Sequence, residues 1–406
     1  MTDERVVVVG GGLAGVSAAR ELRDRGYDGL VTLIDKDAHP YDRPPLSKDF
    51  LLGKITEDEL GLAKPAWYDD ASIDLRTGVS AVALKSGAGA VELSDGSSVR
   101  ADAVILALGA DARPLGDAHA PHVHVLRTLA DARALREKLV SGARLAIVGG
   151  GLIGAEVASS ARALGVEVEL IEPVDPPLTP AVGIDLARDL HRMHVESGIR
   201  LHSSGVREIR STAGCVVVEL TDGTTVTADD VLVGIGSVPV TELATDAGLE
   251  VDGGIIVDSA ARTSNPAVFA AGDSARTRLP DGSLLRRKEH WEAAKFGGQA
   301  AAAAVLGEQP ASTSADWFWS DRHGVHVEGV GSMTAQGTTI LRPYRDDDSG
   351  RTQMAFNVRG ETLLGAAAID GGLAVRAARR LIDKGTAISP EDLADPAFDL
   401  KRLRRS

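Results

Sequence analysis

The chain has 406 residues, 44% of them hydrophobic and 25% charged, with a formal net charge of −14. That length exceeds one ordinary core and predicts two or three domains, while the acidic balance excludes general affinity for nucleic acid or anionic membrane. The single cysteine, Cys215, excludes an internal disulfide, a Cys-x-x-Cys redox pair and a thiolate-ligated iron–sulfur centre of the chain's own.

The opening MTDERVVVV carries acids where a signal peptide has bases, and no apolar run approaches the ~20 residues of a membrane span. The cytoplasm is therefore the expected location. The run RVVVVGGGLAGVSAARELRDRG (5–26) reads as buried strand, glycine turn and small-residue helix, and VTLID ends a second strand at Asp35. This is the βαβ dinucleotide-binding pattern. Gly10 allows a tight turn, Gly12 lets backbone approach a pyrophosphate, and Gly15 lets the helix pack close to its strand. Phosphate then meets the unpaired N–H groups of the helix start, and Asp35 accepts from ribose hydroxyls. A stiff loop follows, YDRPPLSKDF (41–50), its two prolines flanked by Arg43 and Lys48. VILALGADARP (104–114) reads as a strand leaving this domain.

RLAIVGGGLIGAEVASSARALG (144–165) and VELIE then repeat the first unit. Gly149, Gly151, Gly154 and Glu172 take the corresponding places. Glu156 stands on the first helical turn, where the first copy has Ser17. A lone GxGxxG is a weak signal; two, each framed by strand, helix and terminal acid, are a strong one. They imply two different dinucleotides. GCVVVEL predicts a strand with Cys215 as a buried, inert thiol. VLVGIGSVP (231–239) leaves the second unit, and AVFAAGD reads as an apolar strand ending in Gly272 and Asp273. Arg286, Arg287 and Lys288 form one basic patch and the tail KRLRRS another; the bland reading of both is solvated surface. GQAAAAAVLG (298–307) reads as an alanine-rich helix. From about 316 the pattern changes. ADWFWSDRHGVHVEGVG alternates like a half-buried strand, RTQMAFNVRGETLLGAAAID reads as two strands around a turn at Arg359–Gly360, and GLAVRAARRLIDKG has a helical period.

Together these features resemble the two-dinucleotide flavin disulfide reductase superfamily. Within it the chain is most similar to NADH-dependent ferredoxin reductases of the putidaredoxin reductase kind, which feed Rieske-type dioxygenases or bacterial haem monooxygenases. The resemblance covers essentially the whole chain. YDRPPLSK is its most specific element, backed by GGGLIGAEVA, AAGD and FWSD. It implies an α/β fold: two Rossmann-like dinucleotide-binding domains, as in glutathione reductase, plus a small α+β C-terminal domain. The FAD-binding domain would be discontinuous (1–112 and 242–315), with the NAD-binding domain at 113–241 and the C-terminal domain at 316–406.

The resemblance also assigns residues. Pro44 and Pro45 restrict the loop that closes over FAD and lower the entropy cost of ordering it. Arg43 sits at the adenine and phosphate end, and Lys48 lies near the flavin ring as a catalytic cation. Ala14, Val79, Arg127, Gly272, Asp273 and Trp291 join the FAD contacts, with Asp273 on the ribityl hydroxyls and Trp291 beside the ring. Ile153, Glu156, Glu172 and Gly236 belong to the nucleotide contacts of the second unit. Glu156 reaches the nicotinamide carboxamide and pairs with Lys48. Glu172 repels a 2′-phosphate, and no Lys or Arg occurs from 173 to 187, so NADH is the expected donor. Leu108 and Val240 depart from the family's usual threonine and asparagine without removing a catalytic group.

Thiol-using relatives need a reactive cysteine near the flavin, which the NADH oxidases and peroxidases place in the loop after the second strand, where this chain has Arg43, Pro44 and Pro45. Two-electron thiol chemistry has no nucleophile here. The expected exit is single-electron transfer to an iron–sulfur ferredoxin, 2Fe-2S or another cluster, docked on a local basic surface such as Arg286–Lys288. The alternatives are a rubredoxin or small-quinone reductase, or an NADH-responsive binding protein like apoptosis-inducing factor.

Overall fold

A computed structural model describes residues 4–85, 89–117, 120–212, 214–311, 314–344 and 352–400. The basic tail 401–406 lies outside the described residues. The chain forms two compact units: one from 1–44, 56–111 and 237–313, the other from 45–55, 112–236 and 314–406.

In the first unit the valine run Arg5–Val9 pairs in parallel with Leu30–Ile34 on one side and Ala103–Leu106 on the other. Val268–Ala270 and Ile73–Arg76 complete a five-stranded parallel sheet. These strands are almost continuously apolar because both faces of the sheet are covered: Val6 and Val8 pack with helix residues such as Val16 and Ala301, and Val7 and Val9 with Val91, Leu93 and Val99 of antiparallel strands. Helix Leu13–Asp24 packs on helix Trp291–Val305, and alanine and glycine make the approach possible. A Cβ on Gly298 would lie 2.0 Å from the carbonyl oxygen of Ala14. The alanine-rich segment is thus the second half of a longer helix that begins at Trp291.

The second unit holds a parallel sheet in the order Arg200–His202, Glu167–Ile171, Arg144–Val148, Asp230–Val233, Val123–His124. It also holds an antiparallel sheet of Trp317–Arg322, Val325–Gly331, Thr362–Ile369, Thr352–Arg359 and Thr338–Pro343. This second sheet is buried on both faces. Met354, Phe356, Ala366 and Ala368 pack with Val375, Ala378 and Leu381 of helix Gly372–Lys384. The intervening Ala355, Ala367 and Ile369 pack with Leu186, Ala187 and Leu190 of helix Ile184–Glu196. The strand period of two sends alternate residues to two different helices.

Two expectations need correction. The 316–331 stretch is a hairpin, not one strand: His323 and Gly324 turn the chain with φ of +49° and +78°. The side-chain alternation hides the reversal because positive φ at both turn positions suits a tight hairpin. Cys215 precedes strand Val216–Leu220, is half-buried rather than buried, and has its Sγ 3.3 Å from Thr212 Oγ1.

Candidate functional site

The two glycine turns have the same geometry. Gly10 and Gly149 hold φ of +106° and +107°, and a Cβ there would strike the carbonyl oxygens of Ala107 and Gly234 at 2.2 and 2.3 Å. Gly15 and Gly154 each lie so close to the preceding turn that a Cβ would be 1.9 Å from its carbonyl. No other residue fits these positions. Gly12 and Gly151 differ in kind: both are extended, and a Cβ on either meets nothing within 4 Å. The space beside each helix start is therefore open, and neither helix has a side-chain cap or an acid in its first turn. Unsatisfied N–H groups facing open space fit the pyrophosphate of a dinucleotide.

An acid stands beside each turn. Asp35 is 8% exposed, and burial pushes its carboxyl up to about 6. The Asp37 amide, donating at 3.3 Å, and the nearby Arg43 oppose that shift. A buried carboxylate short of donors fits a ribose diol. Glu172 accepts from the amides of Gly150 at 2.8 Å and Val174 at 2.9 Å, which orient it at the second turn.

In the first unit, further candidates gather near the first helix. Gly272, at φ +71°, brings the turn of Asp273 against Ala14: a Cβ on Gly272 would be 2.9 Å from that of Ala14. Trp291 opens its helix and donates its indole N–H to Asp42 Oδ1 at 2.9 Å, next to Arg43 in the chain. The Val79 amide donates to the Asp35 carbonyl at 3.2 Å. Arg287 is not a surface cation. It donates to the Asp273 carbonyl at 2.7 Å and pairs with Glu289 at 2.6 Å, bracing the turn. Arg286 and Lys288 are exposed.

In the second unit Glu156 is 6% exposed and is the fifth residue of helix Leu152–Ala163, so it stands on the second turn rather than on the first, as the sequence suggested. Ser47 donates to its Oε2 at 2.5 Å, and Ser320 donates to Oε1 at 2.6 Å. Lys48 Nζ lies 3.7 Å from Oε1 and 3.0 Å from Asp321 Oδ2, and 5.4 Å from the centre of the Trp319 ring. The proline-started turn Pro44–Ser47 delivers Ser47 and Lys48 to this cluster, and the Ser160 hydroxyl donates to the Ser47 carbonyl at 2.9 Å. Ile153 is 41% exposed beside the same helix start. Gly236, at φ +110°, accepts from the Arg113 amide. The Arg127 amide donates to Asp131, within the capping box that starts helix Leu129–Lys138.

Sequence reading missed Ser47, Ser320, Asp321 and Arg322 as members of this cluster. One signal was present: Phe318, Ser320 and Arg322 occupy one side of a strand, so polar groups alternate into a buried face. Among the described residues no group of His, Cys, Asp and Glu has the arrangement of a metal site. No described helix is long and apolar enough to cross a membrane.

Comparison with known proteins agrees with this construction. Residues 4–298 match the family described as pyridine nucleotide-disulphide oxidoreductase, and residues 317–404 match the reductase C-terminal family. The chain is 39% identical to the ferredoxin–NAD(+) reductase component of the anthranilate 1,2-dioxygenase system of Burkholderia cepacia, over 99% of each chain. It is 35% identical to rhodocoxin reductase of Rhodococcus erythropolis, over 98% of this chain and 93% of that one. Among solved structures, the covalent putidaredoxin reductase–putidaredoxin complex contains a chain with a TM-score of 0.91 and 31% identity, covering 100% of this chain and 99% of its own.

Proposed function

The chain belongs to the pyridine nucleotide-disulphide oxidoreductase family, and from that premise we propose that it is an FAD-dependent NADH:ferredoxin oxidoreductase serving a monooxygenase or dioxygenase system. The balanced reaction is NADH plus two oxidised ferredoxins giving NAD+, one proton and two reduced ferredoxins. The observation that carries this reading is the pairing of Lys48 with Glu156 at 3.7 Å in a chain with no cysteine in the loop that delivers Lys48. FAD bound there would supply the acceptor for a hydride from NADH and a centre from which the two electrons can leave singly.

The residues divide the work as follows. Gly10, Gly12, Gly15 and the helix start at Leu13 hold the FAD pyrophosphate, and Asp35 binds its ribose. Arg43 and Val79 would take the adenine end, Arg127 would add a charge, and Asp273, whose turn packs against Ala14 through Gly272, would hold the ribityl chain. Gly149, Gly151, Gly154, Ile153 and Gly236 frame NADH, with Glu172 on the adenosine ribose. The geometry at Glu172 supports NADH over NADPH, since a carboxylate fixed by two amides cannot swing away from a 2′-phosphate. Glu156 accepts the carboxamide N–H of nicotinamide and so fixes the face presented for transfer. Lys48 supplies positive charge at the flavin ring, and Trp291 packs beside it. The FAD-binding segments are 1–112 and 242–315, the NAD-binding segment is 113–241, and 316–406 completes the chain. The reductase works in the cytoplasm.

The ferredoxin docks on a local basic surface that includes Arg286 and Lys288. Arg287 is left out of the test because it braces the Asp273 turn. Reversing Arg286 and Lys288 to glutamate is expected to slow ferredoxin-linked cytochrome c reduction roughly tenfold at low salt. Ferricyanide reduction by NADH should not change. Equal losses in both assays, or none in either, would remove this surface from the interface. Substituting rubredoxin for ferredoxin at matched NADH tests the acceptor class: faster rubredoxin reduction would overturn it.

A further inference from the structure

The register of the C-terminal hairpin places a set of polar and aromatic side chains on one face. Trp319 stands opposite Glu328 and Asp321 opposite His326, and Trp317 lies two residues before Trp319. Residues directly opposed across two strands, and their neighbours two positions along, share a face. Phe318, Ser320 and Arg322 take the other face, where Arg322 Nη2 donates to Ser320 Oγ at 2.9 Å.

Glu328 poses a physical problem on the first face. It is 3% exposed, and the basic group that faces it is a histidine, with His326 Nε2 3.8 Å from Oε2. A buried carboxyl needs donors. Trp317 supplies one, giving its indole N–H to Oε1 at 3.1 Å. Oε2 fills the space beside Gly372, the first residue of helix Gly372–Lys384: a Cβ on Gly372 would lie 2.2 Å from it. The carboxyl therefore lies against a helix start, where backbone N–H groups lack partners within the helix.

From Glu328 two series of contacts run to the same ammonium. Along one, the Trp317 ring stacks on Trp319, with centroids 5.0 Å apart and planes at 22°, and Lys48 Nζ stands 5.4 Å from the centre of the Trp319 ring. Both spacings are those of attractive ring and cation–ring contacts. Along the other, His326 Nδ1 lies 2.5 Å from Asp321 Oδ1, and Asp321 Oδ2 accepts from Lys48 at 3.0 Å. The side chains of Asp321 and His326 are each 44% exposed, so this arm alone holds weakly. Lysine carries its charge on a long flexible stem, and two arms from one anchor restrict it where a single surface pair does not. We propose that Glu328 is a positioning residue for Lys48: it anchors both arms and so fixes the ammonium beside Glu156. The consequence for the cofactor rests on the reading that Lys48 lies at the flavin ring.

The test labels the lysines of the holoenzyme briefly with an acylating reagent and reads Lys48 against the exposed Lys54 by mass spectrometry. Glu328→Leu removes the anchor. Gly372→Ala leaves every side chain of both arms in place and only sets a methyl group where Oε2 now lies. In both variants Lys48 should react about fivefold faster relative to Lys54. The midpoint potential of bound FAD should also fall in both, toward that of Lys48→Met, because a loosened cation stabilises the reduced flavin less. Parent-like labelling of Lys48 in both variants would overturn the proposal. An equal rise at Lys48 and Lys54 would overturn it too, since that marks general loosening. Lys48→Met reads the other premise separately. A parent-like potential in that variant would count against placing Lys48 at the flavin, while the labelling would still decide whether Glu328 anchors it.

Discussion

Replacing Gly151 by valine is expected to leave a folded, yellow protein that NADH no longer reduces at ordinary concentrations. The backbone at Gly151 is extended, which any residue adopts, and a Cβ there meets no protein atom within 4 Å. The new side chain would stand only in the space that the NADH pyrophosphate must enter. Forcing a branched side chain into a close contact costs up to about 3 kcal/mol, or about 100-fold in affinity. FAD content and unfolding midpoint should stay at parent values. The mirror experiment, Gly12→Val, should give a folded but colourless protein, because the same argument applies at the first turn. Gly154→Val is the contrasting control: its Cβ would lie 1.9 Å from the Gly149 carbonyl, so the fold itself should suffer. Measuring bound FAD, NADH affinity and unfolding for the three variants separates these outcomes. Loss of FAD in Gly151→Val, or NADH binding retained within a few-fold, would break the assignment of nucleotides to turns.

The second large effect is a loss of stability between pH 6.5 and pH 5, from a histidine pair that joins the C-terminal hairpin to helix Ile184–Glu196. The Ser197 hydroxyl spends its proton on the Met193 carbonyl at 2.8 Å. His323 Nδ1, 3.0 Å from that hydroxyl, must therefore donate to it. His323 Nε2 is then the acceptor for His194 Nδ1–H at 2.8 Å. Protonating His323 would remove that acceptor, and burial and Arg322 already hold both rings neutral. The folded-state values, about 2 for His194 and about 4 for His323, lie below the ordinary 6.5. Below pH 6.5 the unfolded chain binds protons that the folded chain refuses, so stability falls as pH falls until each folded value is reached. At pH 5 the cost is about 2 kcal/mol for His194 and less for the half-buried His323. Denaturant unfolding at pH 7.5 and 5.0 should show this loss as the difference between the parent and a His194→Gln, His323→Gln double variant, a comparison in which the opposing gain from Asp35, raised to about 6, cancels. Equal losses in parent and variant would contradict the pair's assignment. The carboxylates held low by hydrogen bonds and ion pairs, such as Asp229 with Arg144, lose their contribution only at lower pH, outside this window.

Much of this architecture is local, and therefore legible. A tight turn needs its glycine, a parallel strand needs its apolar run, and a ribose needs its acid at the end of the next strand, all within about 30 residues. Both dinucleotide units, the strand before Asp273 and the hairpin at Arg359–Gly360 could be read in this way. The Lys48–Glu156 contact was reached through family resemblance, because nothing local links a loop residue to a helix 108 positions later. Ser320 and Arg322 lie further still from Glu156 in the chain, and their roles depend on which face of one strand meets one helix. Strand Thr338–Pro343 went unassigned because its sequence mixes exposed and buried positions, and its Arg342 is buried by donating to the carbonyls of Leu393 and Asp392. An arginine reads as surface until its acceptors are seen.

The central claim is that NADH delivers two electrons at once to a bound flavin, which this chain then passes on singly without a sulfur relay. Anaerobic titration of the purified protein with NADH tests it most directly, followed by addition of oxidised ferredoxin. Bleaching of the flavin absorbance should be complete near one NADH per FAD, and two ferredoxins should then be reduced as the yellow colour returns. A flavin that NADH cannot bleach, or a bleached flavin that no ferredoxin reoxidises, would contradict the account.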